Sequence, residues 1–469
     1  MRDCSAASAP DGDSSPAGGR ASGRMPWQRR FVWIVWAVAT SLAVLSTAVY
    51  GQWLPWSDDF DVLPYVTGDK PVSLTWLWSQ HNEHRIPLVK LLFVGIGRAS
   101  GCDYRWTLVV NALLLSVTAA AMIVAARRLR GWTAWTDALF PAVLLHLGQG
   151  AMAWAFHSQF TLTTVLGGLL VATAVAAPGD AVWRSAAMAA CTCLLPLTGA
   201  GGLVMAVAAA ALLAVAAFRP DATGGGGAGV LARSLAAAGA GLASAAALLS
   251  FATLQLIPAH GYASTWQTLI GSLNALASYP GGLVARFPTA WRLATAVAVA
   301  ATVAAAVAAL RRDGAAERWR TAILLGYIAA LGIVGVAIGY GRGARDFTHL
   351  YGHYSTLALG VPVALALVWA RLPQGPFART FQALLCCVAL VVAVNQARRS
   401  IRHWGSAAES WAVIASDMRG SLPPDEVAAR HAGALYFVDE PELRRKIADA
   451  VAMLRRTRFP LYCSRPAAP

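Results

Sequence analysis

Between residues 56 and 90 the chain reads WSDDFDVLPYVTGDKPVSLTWLWSQHNEHRIPLVK, its densest run of groups able to move protons or hold charge. Asp58 and Asp59 are adjacent carboxylates. Partial burial of one beside the other raises a pKa and makes a general base near working pH. A solvated acidic turn is the plainer reading of the same pair, since short acidic motifs recur by chance. Asp61 follows two residues on, and His81, Glu83, His84 and Arg85 form a second polar group. From that group His84 and Arg85 suit hydrogen bonds and phosphate contacts that place a substrate, while a structural polar turn is the alternative. His81 and His84 are three apart, a spacing that can bring two imidazoles to one metal on a helix. The known helical metal motif has them four apart, so a divalent metal stays open and no ligand set is assigned.

Two further stretches carry polar groups beside apolar runs. GQGAMAWAFHSQF at 148–160 holds Gln149, His157 and Gln159, and polar groups at membrane depth need partners or a wet cavity. Gln149 and His157 are eight apart and are expected to share a helical face, as substrate contacts or as helix–helix hydrogen bonds. GRGARDFTHLYGHY at 341–354 holds Arg342 and Arg345, whose planar forks suit a phosphate or pyrophosphate. His349, His353 and Tyr354 add neutral donors, and a basic loop on anionic headgroups is the other reading. The stretch 258–262, with Tyr279 and Arg286, reads as lining or lid. Asp137 reads as a helix N-terminal acid stabilised by the dipole.

These groups must be positioned by a membrane scaffold. The 469 residues are 57% hydrophobic and only 13% charged, and the mean hydropathy is +0.52. That composition excludes an ordinary soluble domain. The net charge of +15 would suggest nucleic acid in a soluble chain, but most Lys and Arg here flank apolar runs, as membrane orientation requires. Seven cysteines show no paired metal spacing; Cys102 and Cys463 share a compartment in this topology and could pair.

Residues 1–28 read as a disordered cytoplasmic leader. Arg29 and Arg30 precede the first apolar run, 31–50, which argues for a cytoplasmic N-terminus. Further runs lie at 107–126, 135–153, 159–177, 184–198, 201–218, 236–257, 291–310, 321–340, 355–370 and 381–394. At about 20 residues per span they make about eleven crossings, the pair at 184–218 being readable as one span or a re-entrant pair. The expected fold class is therefore all-α, a polytopic transmembrane bundle over 29–397 with its first outer loop at 51–106. Within that loop, 86–97 reads as an interfacial helix. The loops 258–287 and 341–354 then face the same outer side. An odd span count sends the tail, 398–469, outside as a small helical extension, although Arg398, Arg399 and Arg402 pull the other way.

The pattern resembles the GT-C superfamily of polytopic glycosyltransferases that use polyprenyl-phosphate sugars. The resemblance rests on the acidic pair Asp58 and Asp59 in the first outer loop, many spans and an outer tail. It is most specific to a group of uncharacterised bacterial GT-C-like proteins at QHNEHR (80–85), at the aromatic stretch 153–160, and at the loop 341–354. Two positions depart from that pattern: His353 stands where arginine is expected before the tyrosine, and His157 where glutamine is expected. The resemblance implies an inverting transfer at the outer face of a bacterial inner membrane. Asp58 or Asp59 would be the base, and Arg342 and Arg345 would assist the departing polyprenyl phosphate. The partners implied are a polyprenyl-phosphate-linked sugar, membrane lipid, and a glycan, lipid or protein acceptor, with no nucleic acid. Some relatives need a divalent metal and others do not. A transporter or flippase of a lipid-linked or anionic substrate, and a non-catalytic assembly subunit, are the rival readings.

Overall fold

The computed structural model describes residues 26–82, 84–175, 181–218, 227–255, 263–344, 351–436 and 440–457. Long apolar runs fold as helices because a helix satisfies its own backbone without water. The chain opens with α1 (Pro26–Tyr50) and then enters the acidic stretch through α2 (Asp59–Val66) and the short α3 (Leu74–Trp78). A two-stranded hairpin, β1 (Gln80–His81) and β2 (His84–Arg85), leads to α4 (Pro87–Ser100) and the long α5 (Arg105–Arg130). The short α6 (Leu139–Leu144) precedes α7 (Ser158–Val175), α8 (Ala181–Leu194), α9 (Ala200–Phe218) and α10 (Gly227–Ala252). Then come α11 (Thr265–Ala277), α12 (Pro288–Arg312), α13 (Ala315–Arg342), α14 (Tyr351–Ala358), α15 (Gly360–Arg371) and the 44-residue α16 (Pro376–Arg419). Two amphipathic helices, α17 (Pro424–Tyr436) and α18 (Pro441–Arg456), end the described chain.

Among the described residues, eight helical segments are long and apolar enough to cross a membrane, and two shorter apolar helices cover 181–197 and 200–215. The bundle is all-α, as the apolar runs require. The expected single span at 135–153 has a different form. It is a turn of 3-10 helix at Trp135–Ala138, then α6, then irregular chain with further turns at Gly150–Met152 and Ala155–His157. Pro141 and the glycines at 148 and 150 each disfavour a continuous helix, and Gln149 interrupts the apolar run. The segment nevertheless runs the length of α5. At one end Arg130 holds Asp137 at 2.9 Å, and at the other the Asn111 amide donates to the Ala151 carbonyl. Those two α5 residues are 19 positions apart, about 29 Å along the helix.

The two ends of the bundle differ in chemistry. One carries two polar sets, Arg130 with Asp137 and Gln382, and Arg371 with Asp313 and Glu317. The other carries the acidic stretch, packed into a second hydrophobic cluster with α4, the 154–156 aromatics and the tail helices. The 86–97 stretch expected as an interfacial helix is α4, and its Lys90 is buried. The ammonium donates to the carbonyls of Trp76 and Ser79 and to the Ser79 hydroxyl, each at 2.8 Å, which ties α3 to α4. Burial, with Arg85 adding repulsion, pushes that ammonium down to about 8. α16 continues without a break through residues 397–398, so the tail is carried on the same rod as the last span.

The region 263–277, expected as outer loop, is helix α11 laid along α13. Gly335 and Gly339 on α13 and Gly343 at its C-cap recur every four residues, and α11 rests on that small-residue stripe. A Cβ on Gly339 would meet the Thr268 carbonyl at 2.3 Å and Ser272 Oγ at 2.5 Å, whereas one on Gly332 would meet nothing within 4 Å. Gly339→Ala is therefore expected to lower stability by about 1–3 kcal/mol, while Gly332→Ala is neutral or stabilising by up to about 1 kcal/mol. Thermal unfolding of the two variants in detergent measures the contrast; equal effects would refute the close approach of α11 and α13.

Candidate functional site

The site begins at the N-terminus of α2. An aspartate at an N-cap ordinarily accepts from the helix amides, but Asp58 makes no such bond. Its carboxylate is turned instead to His81, with Oδ2 3.5 Å from Nε2. The backbone arranges this through Ser57, a non-glycine residue at φ +52°. Such a conformation is uncommon and persists where surrounding contacts fix it. Here the Ser57 amide donates to the Leu435 carbonyl at 2.8 Å, so the tail holds the bend. Burial pushes the Asp58 carboxyl up. Hydrogen bonding to and charge from His81, joined by Lys446 and His353, outweigh it and hold the group below its ordinary 3.8. Asp58 is thus a carboxylate held in its ionised form with 29% of its side chain open.

Asp59, its neighbour, points the other way. It is fully buried and accepts from the Trp56 amide at 3.1 Å, while Oδ1 has no hydrogen-bond partner. Burial pushes its carboxyl well above 3.8, aided by the negative charges of Asp58 and Asp61. The two acids, treated as equivalent from the sequence, thus separate into an open carboxylate and a buried neutral acid.

The second polar group is a hairpin, and the helical spacing considered for its histidines does not arise. Asn82 takes φ +48° in a two-residue turn, a position asparagine favours. His81 and His84 become directly opposed cross-strand partners on one face, ring centroids 6.2 Å apart. His84 Nε2 meets Gln159 Oε1 at 2.9 Å, fixing the hairpin to α7. Arg85 serves the fold, since its guanidinium donates to the carbonyls of Trp78 and Thr253 and lies over the Trp78 ring. Gln80 exchanges hydrogen bonds with the Gln255 backbone beside it. Glu83 lies outside the described residues, as do Arg345, His349 and Cys463. Cys102 is buried with its thiol pushed up to about 12 by burial.

Gln149 and His157 do not share a helical face, because the chain between them is broken. The Gln149 amide turns back to the Leu144 carbonyl at 2.7 Å and closes the end of α6. His157 points to the late stretch, with Nε2 3.0 Å from His353 Nδ1. The two positions that depart from the expected pattern are therefore in direct contact. Gly150 makes room for that imidazole, since a Cβ there would lie 2.2 Å from His157 Nδ1. Trp154, Phe160 and Tyr354 surround the histidine pair at ring distances of 4.6–5.8 Å. Arg342, half-buried at the end of α13, and Asp58 both act electrostatically on His353, as does His84. The structure thus brings Asp58, Asp61, His81, His84, Gln159, His157, His353, Tyr354 and Arg342 into one region, and diverts Asp59, Arg85 and Gln149 to holding the fold.

One residue of the site carries no sequence signal. Lys446, on α18, pairs with Asp61 Oδ1 and lies 5.4 Å from the Tyr436 ring centroid. Its helix reads as an ordinary amphipathic extension, and nothing in its spacing links it to residue 61. Asp58, Asp61 and His81 offer ligand atoms within 4.8 Å of one another, a donor set suited to a divalent ion. With the Lys446 ammonium already on Asp61, the cluster as it stands does not fit a metal. No family model, curated protein or solved structure matches the chain.

The buried acid yields a stability test. Between 3.8 and its raised folded value, Asp59 keeps a proton in the folded chain that the unfolded chain releases. Stability therefore falls as pH rises through that window, by up to about 1.4 kcal/mol per pH unit. Asp59→Asn removes this term, so the variant's melting temperature relative to wild type is expected to climb from pH 4 to pH 8. A difference that stays constant with pH would show that Asp59 is ionised in the fold.

Proposed function

We propose that the chain is a membrane glycosyltransferase that moves a sugar from a polyprenyl-phosphate donor to an acceptor at the acidic-stretch end of the bundle. The observation that carries this reading is the shared neighbourhood of Asp58 and Arg342 around His353. An open carboxylate and a guanidinium at one site match the two charge changes of glycosyl transfer. The acceptor hydroxyl loses its proton to Asp58 as its oxygen bonds to the anomeric carbon. The bond from that carbon to the phosphate oxygen breaks, and its electron pair leaves with the polyprenyl phosphate. Charge developing on the leaving phosphate is stabilised by Arg342 and by donors of the histidine group, the interaction that contributes most when preorganised. One displacement inverts the anomeric configuration.

The orientation is supported by charge. Arg127, Arg128, Arg130, Arg311 and Arg312 end their helices opposite the site, which favours a cytoplasmic arginine end and an extracytoplasmic site in a bacterial inner membrane. The acceptor class is a glycan, lipid or protein reaching that face. Transport of a lipid-linked substrate calls instead for ionisable groups deep within the spans. The ion pairs of the described residues lie toward the two ends, such as Arg130–Asp137 at one and Arg105–Asp103 at the other.

Purified full-length protein incubated with a panel of polyprenyl-phosphate sugars is expected to release polyprenyl phosphate. Asp58→Asn should lower the turnover number by about 10²–10⁴-fold, the scale of a general base. Asp59→Asn should stay within about threefold of wild type, because an amide replaces an already neutral acid. Full activity in Asp58→Asn, or no turnover of any donor by the wild type, would overturn the reading.

A further inference from the structure

We infer that Lys446 is the resident cation of the Asp58–Asp61–His81 cluster. Its ammonium offsets the charge of a carboxylate that a divalent ion would need, so the pocket works without a metal and is complete only when the C-terminal helices are seated. For what the pocket does, this rests on the transfer reading above; for what it binds, it rests on the charges alone.

The contacts form a chain. Lys446 Nζ engages Asp61 Oδ1, Asp61 Oδ2 lies 3.8 Å from His81 Nδ1, and His81 Nε2 lies 3.5 Å from Asp58 Oδ2. The ammonium charge reaches the far end, since it helps hold the Asp58 carboxyl ionised. Two carboxylates against one ammonium leave at most a single negative charge on the cluster. A divalent ion entering this set would lose much of its attraction to Asp61 and face an ammonium within contact range of its own ligands.

Packing fixes the position of the lysine. Its neighbour Ile447 and Val451 one turn on are fully buried in the loop-end core. The helix is further held by Arg456 on Asp69 at 2.5 Å, and its partner α17 by Tyr436 stacked on Phe60 at 5.4 Å and by the Trp56 indole donating to the Ala434 carbonyl at 3.0 Å. Lys446 is thus delivered to Asp61 by a docked helix. The exposure of both partners, about a third each, makes the pair weak as a source of stability but leaves its effect on a competing ion intact.

The test is Mn²⁺ binding to the full chain in detergent, followed by electron paramagnetic resonance, with divalent-ion dependence of lipid-phosphate release as a second readout. Lys446→Met is expected to bind Mn²⁺ at least about tenfold more tightly than wild type, the scale of removing one partly solvated like charge. Asp61→Asn in the same background should abolish the gain, and Lys446→Arg should keep the wild-type affinity. Transfer by the wild type should survive chelation. Equal Mn²⁺ affinity in wild type and Lys446→Met, or tight Asp61-dependent binding by the wild type, would overturn the proposal. Because the binding readout needs no turnover, a failure of sugar transfer alone would count against the enzymatic reading and not against the role of Lys446.

Discussion

The arrangement depends on how non-helical backbone is satisfied inside an apolar bundle. Between residues 144 and 158 the chain bonds to itself only in short 3-10 turns, and each polar backbone group left bare would cost several kcal/mol. Neighbouring side chains supply the missing partners. Ser355 and Thr356 accept from the Gly150 and Ala151 amides; Asn111 donates to Ala151, Ser400 to Leu147 and Gln149 to Leu144. The segment is thereby locked between α5, α14 and α16, and His157 is aimed at His353. These bonds tie the early and late parts of the chain together beneath the site.

The acidic stretch is held to that frame by contacts at several points. His84 bonds to Gln159 on α7, Arg85 and Gln80 clasp the chain just after α10, and the Trp154 indole donates to the Trp56 carbonyl at 3.2 Å. The tail closes from above through Leu435, Tyr436 and Lys446. Several polar residues of the stretch are therefore consumed in placing others. Asp58 stands out because its carboxylate is left open and unbonded to its own helix, and burial of its twin Asp59 keeps a further negative charge away from the Asp58–Asp61 pocket.

Much of this was legible in the sequence, and the limits have physical causes. The long apolar helices follow from run length, and the nearness of Asp58, His353 and Arg342 follows from placing their loops on one side. The break at 145–157 is signalled by Gly148 and Gly150, but hydropathy averaging hides it because the flanks are apolar. The equivalence of Asp58 and Asp59 could not be resolved, since which of two adjacent residues turns inward depends on tertiary contacts at Ser57 and Trp56. Arg85 looked like a phosphate ligand because a guanidinium that binds carbonyls is indistinguishable in sequence from one that binds anions. The glycine repeat at 335, 339 and 343 was a readable sign that a helix would pack there. Lys446 was out of reach, because an ion pair across 385 positions leaves no local pattern.

The most direct test of the account is an experimental structure of the full chain with a non-transferable polyprenyl-phosphonate sugar bound. The account requires the phosphonate beside Arg342 and the anomeric carbon on the Asp58 side of the histidine pair, with an acceptor oxygen fitting between them within about 3 Å of the carboxylate. A phosphonate bound at the arginine end of the bundle, or anywhere that leaves Asp58 facing solvent alone, would contradict it.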